Sequence, residues 1–160
     1  MRLDLLPLRE EHAPEMARVL ADPALYIFTG GGPDSEDGLR ARYRRLLAGS
    51  PDPAVTWCNW ALRLRAENRL TGYVQATIAA GEAEIAWVVG TPWQRRGLAA
   101  EAVTELVGHL LADPSPVAAV LAHIHPEHRA SAAVATAAGL RATEARQDGE
   151  VRWERRGGGL

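Results

Sequence analysis

The residues from Glu84 to Ala102 constrain the fold of this chain most strongly, because they combine the pattern of a strand, a short connection and the pattern of a helix. As far as Val89 the residues are mostly β-branched, aromatic or small, which suits a strand. Beyond the connection, apolar residues recur at helical spacing, on Leu98, Ala102, Leu106 and Leu110. The connection holds arginines and a glycine at the helix start, where unpaired N–H groups and the helix dipole favour an anion. The stretch therefore predicts a site for a phosphate-bearing ligand.

Length and composition restrict the class of protein. A chain of 160 residues suits one domain, predicted over residues 1–156 with a frayed tail at 157–160. The net charge of −2 creates no basic field for nucleic acid. The sequence contains no run of 18 apolar residues, the length that a membrane-spanning helix needs. The first residues lack the layout of a signal peptide, and the single cysteine, Cys58, suits a reducing compartment. We therefore expect a cytoplasmic monomer or homodimer without a nucleic-acid or membrane partner.

The remaining patterns predict an α+β domain. In order they indicate a strand near Leu3, two helices, three antiparallel strands, the helix that opens at Gly97, a strand, a helix and a final strand pair. The three antiparallel strands are predicted over Trp57 to Arg65, Leu70 to Ile78 and Glu84 to Val89. The linker Pro114-Ser115-Pro116 leads into the strand Val117 to Ile124. A helical crossover between the strands ending at Val89 and Ile124 predicts that these two lie parallel.

Two further segments have more than one interpretation. The loop from Tyr26 to Pro33 combines aromatic residues with three glycines, and it is either a lid over a substrate or a surface connector. The second helix carries four arginines, which suit a solvated helix face better than a nucleic-acid patch because no aromatic residues lie among them in an interleaved pattern.

The connection also resembles a known motif. Gln94, Gly97 and Ala99 match the acyl-CoA pyrophosphate motif Gln/Arg-x-x-Gly-x-Gly/Ala of the GNAT superfamily, the Gcn5-related N-acetyltransferases. The predicted order of elements is similar to the GNAT fold along nearly the whole chain. Within the superfamily, Pro126 followed by Ser131 and then Gly139 is most similar to the branch that contains the RimJ/RimL-type enzymes. The resemblance implies a mostly antiparallel twisted sheet of about seven strands with a parallel central pair and about four flanking helices.

The resemblance also implies direct transfer of an acetyl group from acetyl-CoA to a primary amine, with no metal. The residues that it places against the CoA are Val88, Val89, Gln94, Arg95, Arg96, Gly97, Leu98, Ala99, Ala100, His128 and Ser131. Two positions depart from the family pattern. His128 replaces an asparagine, and Ala135 stands where many GNAT enzymes carry the tyrosine that protonates the departing thiolate. Ser131 is the candidate to replace that tyrosine, since a hydroxyl at a helix N-terminus can stabilise a thiolate.

The base that deprotonates the amine has three candidates. Glu84 is the first, and it matches a catalytic glutamate of some GNAT enzymes, while His123 and His125 are the alternatives. The histidines lack the carboxylate or cysteine partners of a metal site, and we interpret Cys58 as a structural thiol.

The acceptor itself is left open between a small amine and a protein N-terminus. We interpret Trp57, Trp60 and Trp87 as core or pocket wall, and together with Tyr26 and Phe28 they could make the acceptor cleft partly apolar. The alternative to an enzyme is a non-catalytic domain that binds or senses acyl-CoA.

Overall fold

The computed structural model describes residues 1–112 and 117–158. Seven strands form one sheet: β1 (Leu3–Pro7), β2 (Val55–Leu64), β3 (Arg69–Ala79), β4 (Glu82–Val89), β5 (Ala119–Ile124), β6 (Arg141–Gln147) and β7 (Glu150–Arg156). Four α-helices accompany them: α1 (Ala13–Val19), α2 (Glu36–Ala48), α3 (Leu98–Leu111) and α4 (Arg129–Ala137). Short 3-10 turns cover Glu10–His12, Pro23–Tyr26 and Thr91–Trp93. The predicted linker at residues 114–116 and the end of the predicted tail at 159–160 lie outside the described residues.

Local chemistry accounts for several of these boundaries. The Ser35 hydroxyl accepts a hydrogen bond of 3.0 Å from the Gly38 amide and thereby caps the start of α2. Asp148 and Gly149 both have positive φ, which is the backbone that a two-residue hairpin between β6 and β7 requires. At the other end of β7, Gly157 still donates a hydrogen bond of 2.8 Å to the carbonyl of Ala118.

The strand order is β1-β2-β3-β4-β5-β7-β6, and every neighbouring pair is antiparallel except β4 and β5. The predicted α+β class with a parallel central pair is therefore confirmed. The first of the two helices predicted after the opening strand is divided between a 3-10 turn and α1, with Pro14 in the first turn of α1.

The two faces of the sheet have different neighbours. Along β2, Trp57 and Asn59 point to the face that α2 covers, and they border a cavity together with residues of that helix. Trp60 points to the opposite face, where it borders a groove with residues of α3. We call these the α2 face and the α3 face. None of the helices in residues 1–112 and 117–158 is long and apolar enough to cross a membrane.

The core fills the space between the sheet and these helices. Its largest fully buried side chains come from both ends of the chain and from every layer: Leu3, Met16, Leu62, Val74, Leu98, Val103, Leu106, Val107, Val120 and Leu140. Helix α3 contributes four of these ten side chains, because its apolar stripe faces the sheet. The start of α3 is thus held firmly against the end of β4.

Candidate active site

The two parallel strands separate after three residue pairs. β4 and β5 are in register only from Glu82 opposite Ala119 to Glu84 opposite Leu121. Beyond that point β4 continues alone on this side as far as Val89, while β5 stays paired with β7. A wedge-shaped opening therefore lies between the carboxyl ends of two central strands, where open sheets of this kind bind ligands.

The polar backbone atoms of β4 alternate between β3 and this opening. The Gly90 amide donates a hydrogen bond of 2.7 Å to the carbonyl of Thr71 on β3, so that pair is a hydrogen-bonded pair of the antiparallel ladder. By the same alternation Val88, opposite Tyr73, also directs its backbone to β3. The N–H and C=O groups of Trp87 and Val89 therefore face the opening. Of the two predicted positions, Val89 presents its backbone there and Val88 does not, while Trp87 was missed.

The connection after β4 ends in a helix start without a side-chain cap. Gly97 is the N-cap of α3 and has φ of 76°, a left-handed conformation that favours glycine. No side chain caps this helix start, and the first turn of an α-helix leaves its N–H groups without intrahelical partners. The amides of Leu98, Ala99 and Ala100 thus form a cluster of donors, and the small side chains of the two alanines leave them open to an anion.

The side chains of the connection mostly hold the loop itself. The Gln94 amide nitrogen donates to the carbonyl of Val89 at 2.9 Å, and Arg96 forms an ion pair with Glu67 at 3.1 Å. Glu67 also accepts a hydrogen bond of 3.1 Å from the Trp93 indole, and the pKa of Glu67 is held below its usual range first by that bond and then by Arg96. Within residues 1–112 and 117–158, Arg95 has no such carboxylate partner, whereas Arg96 is paired with Glu67. Of the two arginines in this loop, Arg95 is therefore the one whose charge is available to a ligand.

Hydrogen bonds from Arg2, near the start of the chain, also hold the loop between β4 and α3 in place. We call them the Arg2 brace. The backbone N–H and the guanidinium Nε of Arg2 both donate to the Glu101 carboxylate, at 2.9 and 3.0 Å. The same guanidinium donates to the carbonyl of Arg96 at 2.9 Å. Burial alone would raise the pKa of Glu101, but the bonds from Arg2 and the Leu3 amide outweigh it and lower that pKa. β1, the loop and the first turn of α3 are thereby joined.

Two of the three candidate bases are in direct contact. The Nδ1 atom of His123 lies 2.6 Å from Oε1 of Glu84. A carboxylate only accepts hydrogen bonds, so a neutral imidazole that donates to it from Nδ1 has its lone pair on Nε2, at the other edge of the ring. Glu84 is half exposed, with 49% of its side chain accessible, and His123 retains 10%. The pair lies on the α2 face, at the point where β4 and β5 separate.

His125 lies apart from this pair, in an aromatic group with the predicted lid. Phe28 stacks on the His128 ring, with the centroids 4.5 Å apart, and its centroid is 5.1 Å from that of His125. Burial, and to a smaller extent His125, lowers the pKa of His128, so this imidazole is neutral at neutral pH. Its Nε2 atom lies 3.3 Å from the Ser131 hydroxyl. Phe28 therefore connects the loop after the first helix to the start of α4.

Other predicted residues lie elsewhere. Ala135 is a fully buried residue of α4. Trp60 and Trp87 point to the α3 face, because side chains alternate along a strand, and both pack against the core, as their interpretation as core or pocket wall expects. Burial raises the pKa of the Cys58 thiol, which suits a structural role. Among the described residues, no three His, Cys, Asp or Glu side chains gather closely enough to hold a metal ion.

Comparison with known proteins identifies the family. Residues 2–141 match the family model of the acetyltransferase (GNAT) domain. The chain belongs to the GNAT family of acetyltransferases. No curated protein sequence gives a significant match.

Solved structures of GNAT proteins are similar along nearly the whole chain. An acetyltransferase from Thermus thermophilus is 20% identical, with a TM-score of 0.76 over 98% of this chain and 97% of its own. RimL, a ribosomal L7/L12 alpha-N-protein acetyltransferase in complex with coenzyme A, is 15% identical, with a TM-score of 0.80 over 98% and 95%. The aminoglycoside acetyltransferase AAC(6')-Ib in complex with coenzyme A is 16% identical, with a TM-score of 0.77 over 96% and 94%. RimL among these neighbours agrees with the predicted RimJ/RimL-like branch.

The GNAT motif has a clear physical role in this structure. Gly97 supplies the left-handed turn and Ala99 the open helix start, whereas the Gln94 side chain ties the loop to β4. The motif thus describes a shaped backbone more than a set of ligand-binding side chains.

Proposed function

We propose that this GNAT protein transfers the acetyl group of acetyl-CoA directly to a primary amine, using His123 as the base and Glu84 to orient it. The observation that carries the proposal is the position of this pair. The two side chains meet where β4 and β5 separate, on the same strand that leads into the uncapped start of α3. Donor and base would then lie at the two ends of β4.

The donor is proposed to bind along the opening and the loop. The amides of Gly97, Leu98, Ala99 and Ala100 would hold the pyrophosphate, with the Arg95 charge beside it. The amides of the pantetheine would form hydrogen bonds with the backbone edge of Trp87 and with the N–H group of Val89, whose carbonyl already accepts from Gln94. Structures of two similar proteins, RimL and the aminoglycoside acetyltransferase, contain coenzyme A, which supports this choice of donor.

The chain's own residues then account for the proton transfers. The amine arrives as an ammonium, and the Nε2 lone pair of His123 would take its proton while the Glu84 carboxylate stabilises the resulting imidazolium. The neutral amine attacks the thioester carbonyl and the C–S bond breaks. The departing thiolate takes up the second proton, which the nitrogen loses as the amide forms, and CoA leaves as a thiol. The Ser131 hydroxyl would donate a hydrogen bond to that thiolate at the start of α4. The neutral His128, which lies 3.3 Å from Ser131 Oγ, would orient the hydroxyl.

Two measurements test the proposal. Calorimetry with the purified protein should detect acetyl-CoA binding that Gly97→Glu abolishes, because a carboxylate at this position repels the pyrophosphate. Thiol release with a panel of primary amines should then require His123. Binding without turnover across peptides, polyamines and amino acids would instead support a non-catalytic acyl-CoA sensor, whereas absence of binding at millimolar acetyl-CoA would refute both functions. Residence in the cytoplasm and the choice between monomer and homodimer stay predictions.

A further inference from the structure

A small cavity lies next to the proposed base, between α2 and the α2 face of β2 and β3. Its volume is about 170 Å³. The side chains that line it are Arg42, Leu46, Trp57, Asn59, Gln75 and Thr77. It is large enough for one small functional group of a substrate, not for a whole nucleotide or sugar.

Every polar side chain of this cavity can donate a hydrogen bond, and Arg42 can only donate. Arg42 brings a permanent positive charge, and Asn59, Gln75 and Thr77 bring two amides and a hydroxyl. Among the described residues that line the cavity none is acidic. The carboxylate nearest to Arg42 belongs to Asp34, which lies 3.4 Å away in an ion pair whose two side chains are 57% and 44% exposed. A ligand could displace such an open pair at little cost, because exposed ion pairs contribute little.

The strand register places the cavity beside the Glu84–His123 pair. Thr77 of β3 lies opposite Glu84, and Trp57 of β2 lies opposite Thr77, so the three side chains form one row on the α2 face. In the next row Asn59 lies opposite Gln75, and Gln75 lies opposite Ala86. Neighbouring strands are about 4.8 Å apart. A group held at Gln75 and Arg42 is thus roughly one to two strand spacings, about 5–10 Å, from an amine at the base.

We propose that the natural acceptor is a primary amine that also bears a carboxylate, and that this carboxylate binds to Arg42, Asn59 and Gln75. The inference rests on the proposed function and names its substrate class. A guanidinium with neighbouring amide donors matches the geometry of a carboxylate. A polyamine or an aminoglycoside would instead bring a second positive charge to Arg42. The site thus selects acceptors by a charge placed away from the reacting nitrogen.

A series of amines of graded length tests this selection. The acceptors are glycine, β-alanine, γ-aminobutyrate and δ-aminovalerate, each compared with its own amide, together with alkylamines and diamines of the same length. We expect kcat/KM from thiol release to be at least about tenfold higher for the longer acids than for their amides, with diamines the poorest. Equal rates for an acid and its amide, or a preference for diamines, would overturn the inference.

Three variants connect this preference to the cavity. Arg42→Gln should raise KM for the best acid about tenfold or more, leaving its amide and the KM for acetyl-CoA unchanged. Asp34→Asn should lower KM for the acid, because it removes the carboxylate that competes for Arg42. Arg45→Gln, on the same helix and outside the cavity lining, is the matched control and should change neither value. If Arg42→Gln and Arg45→Gln behave alike, the carboxylate does not bind where we propose.

The possible failures are distinguishable. Absence of acetyl-CoA binding refutes the proposed function itself. Acetyl-CoA binding with turnover of amines that lack a carboxylate, and no gain from the acid, refutes only the substrate class. Acetyl-CoA binding with no turnover of any amine in the series also refutes the substrate class, since the series contains its simplest members.

Discussion

The donor side and the acceptor side of the proposed site are built in opposite ways. The donor side comes from one continuous stretch, β4 and the start of α3, and its contacts are mainly backbone amides. The acceptor side combines side chains from β2, β3, β4, β5 and α2. A cosubstrate shared by many enzymes can be held by a loop shape, whereas selection of one acceptor needs particular side chains at particular distances. The two sides should therefore respond differently to mutation.

Mutation of the base should give the largest difference between the effect on turnover and the effect on donor binding. His123→Gln should lower kcat by about 10²- to 10⁴-fold, the usual contribution of a positioned base, while acetyl-CoA affinity stays at the wild-type value. Glu84→Gln should have a smaller effect, because the imidazole loses its orienting carboxylate but keeps its lone pair. Steady-state kinetics across a pH series measures kcat, and calorimetry measures the affinity for acetyl-CoA. A larger effect of Glu84→Gln would make Glu84 itself the base.

Mutation of the loop between β4 and α3 should instead act on donor binding. Gly97→Val should weaken acetyl-CoA binding about tenfold or more, because a branched residue is strained by about 1–2 kcal/mol at φ of 76° and narrows the approach to the amides. Calorimetric titration of acetyl-CoA measures the change.

Gly149→Val is the matched control for backbone strain. Gly149 also has a positive φ, 82°, but it lies in the β6–β7 turn, so its replacement should lower stability without weakening donor binding. Equal losses of affinity in the two variants would mean that strain, not the loop shape, decides donor binding.

Loss of the Arg2 brace, which holds the loop between β4 and α3, should have a smaller effect, on stability. Glu101→Gln should lower the free energy of unfolding by about 1–2 kcal/mol at neutral pH, because the carboxylate accepts three hydrogen bonds from Arg2 and Leu3. The pKa of Glu101 is lowered in the folded chain, so this stabilisation is present above the ordinary pKa near 4.5 and is lost as the pH falls through the lowered value.

Denaturant titrations of wild type and variant at several pH values check this sign, since the two curves should converge in acid. Glu105→Gln, an exposed position one turn further along α3, is the control and should leave stability unchanged. A stability difference that persists unchanged in acid would mean that the carboxylate charge is not what stabilises the loop.

The smallest effect should come from the lid residue. Phe28→Leu removes an aromatic stack of about 0.5–1.5 kcal/mol and exposes His128 to water. The pKa of His128, lowered mainly by burial in the wild type, should rise toward 6.5 in the variant, as a proton NMR titration would show. The KM for the acceptor should rise by about two- to tenfold, the range of the lost stacking energy. An unchanged His128 titration would assign the burial to other neighbours.

Much of the fold could be predicted, because its signals are local. The crossover from Val89 to Ile124 predicted the parallel pair. The Ser35 cap of α2 and the Asp148-Gly149 turn of the last hairpin are local signals of the same kind. Alternation along β2 contained the information that Trp57 and Trp60 face opposite sides. The interpretation of the tryptophans as core or pocket wall did not say which face of the sheet each one lies on, although that alternation restricts it.

The sequence by itself determined the pyrophosphate end of the proposed donor side. Gln94, Gly97 and Ala99 lie close together in the chain, and their conformations depend on each other over a single turn of backbone. Glycine at a left-handed position and small residues at a helix start are requirements of local geometry.

Only the tertiary structure decided the acceptor side. Glu84 and His123 are 39 residues apart, and Arg2 and Glu101 are 99 apart. Arg42 lines one cavity with Asn59 and Gln75 only because α2 packs on that face of the sheet. Packing and charge in three dimensions bring such residues together. Side-chain alternation along a strand indicates the face of the sheet on which a side chain lies, but not the residue that it contacts. The sequence could propose Glu84 or His123 as the base, and the fold joined them into one pair.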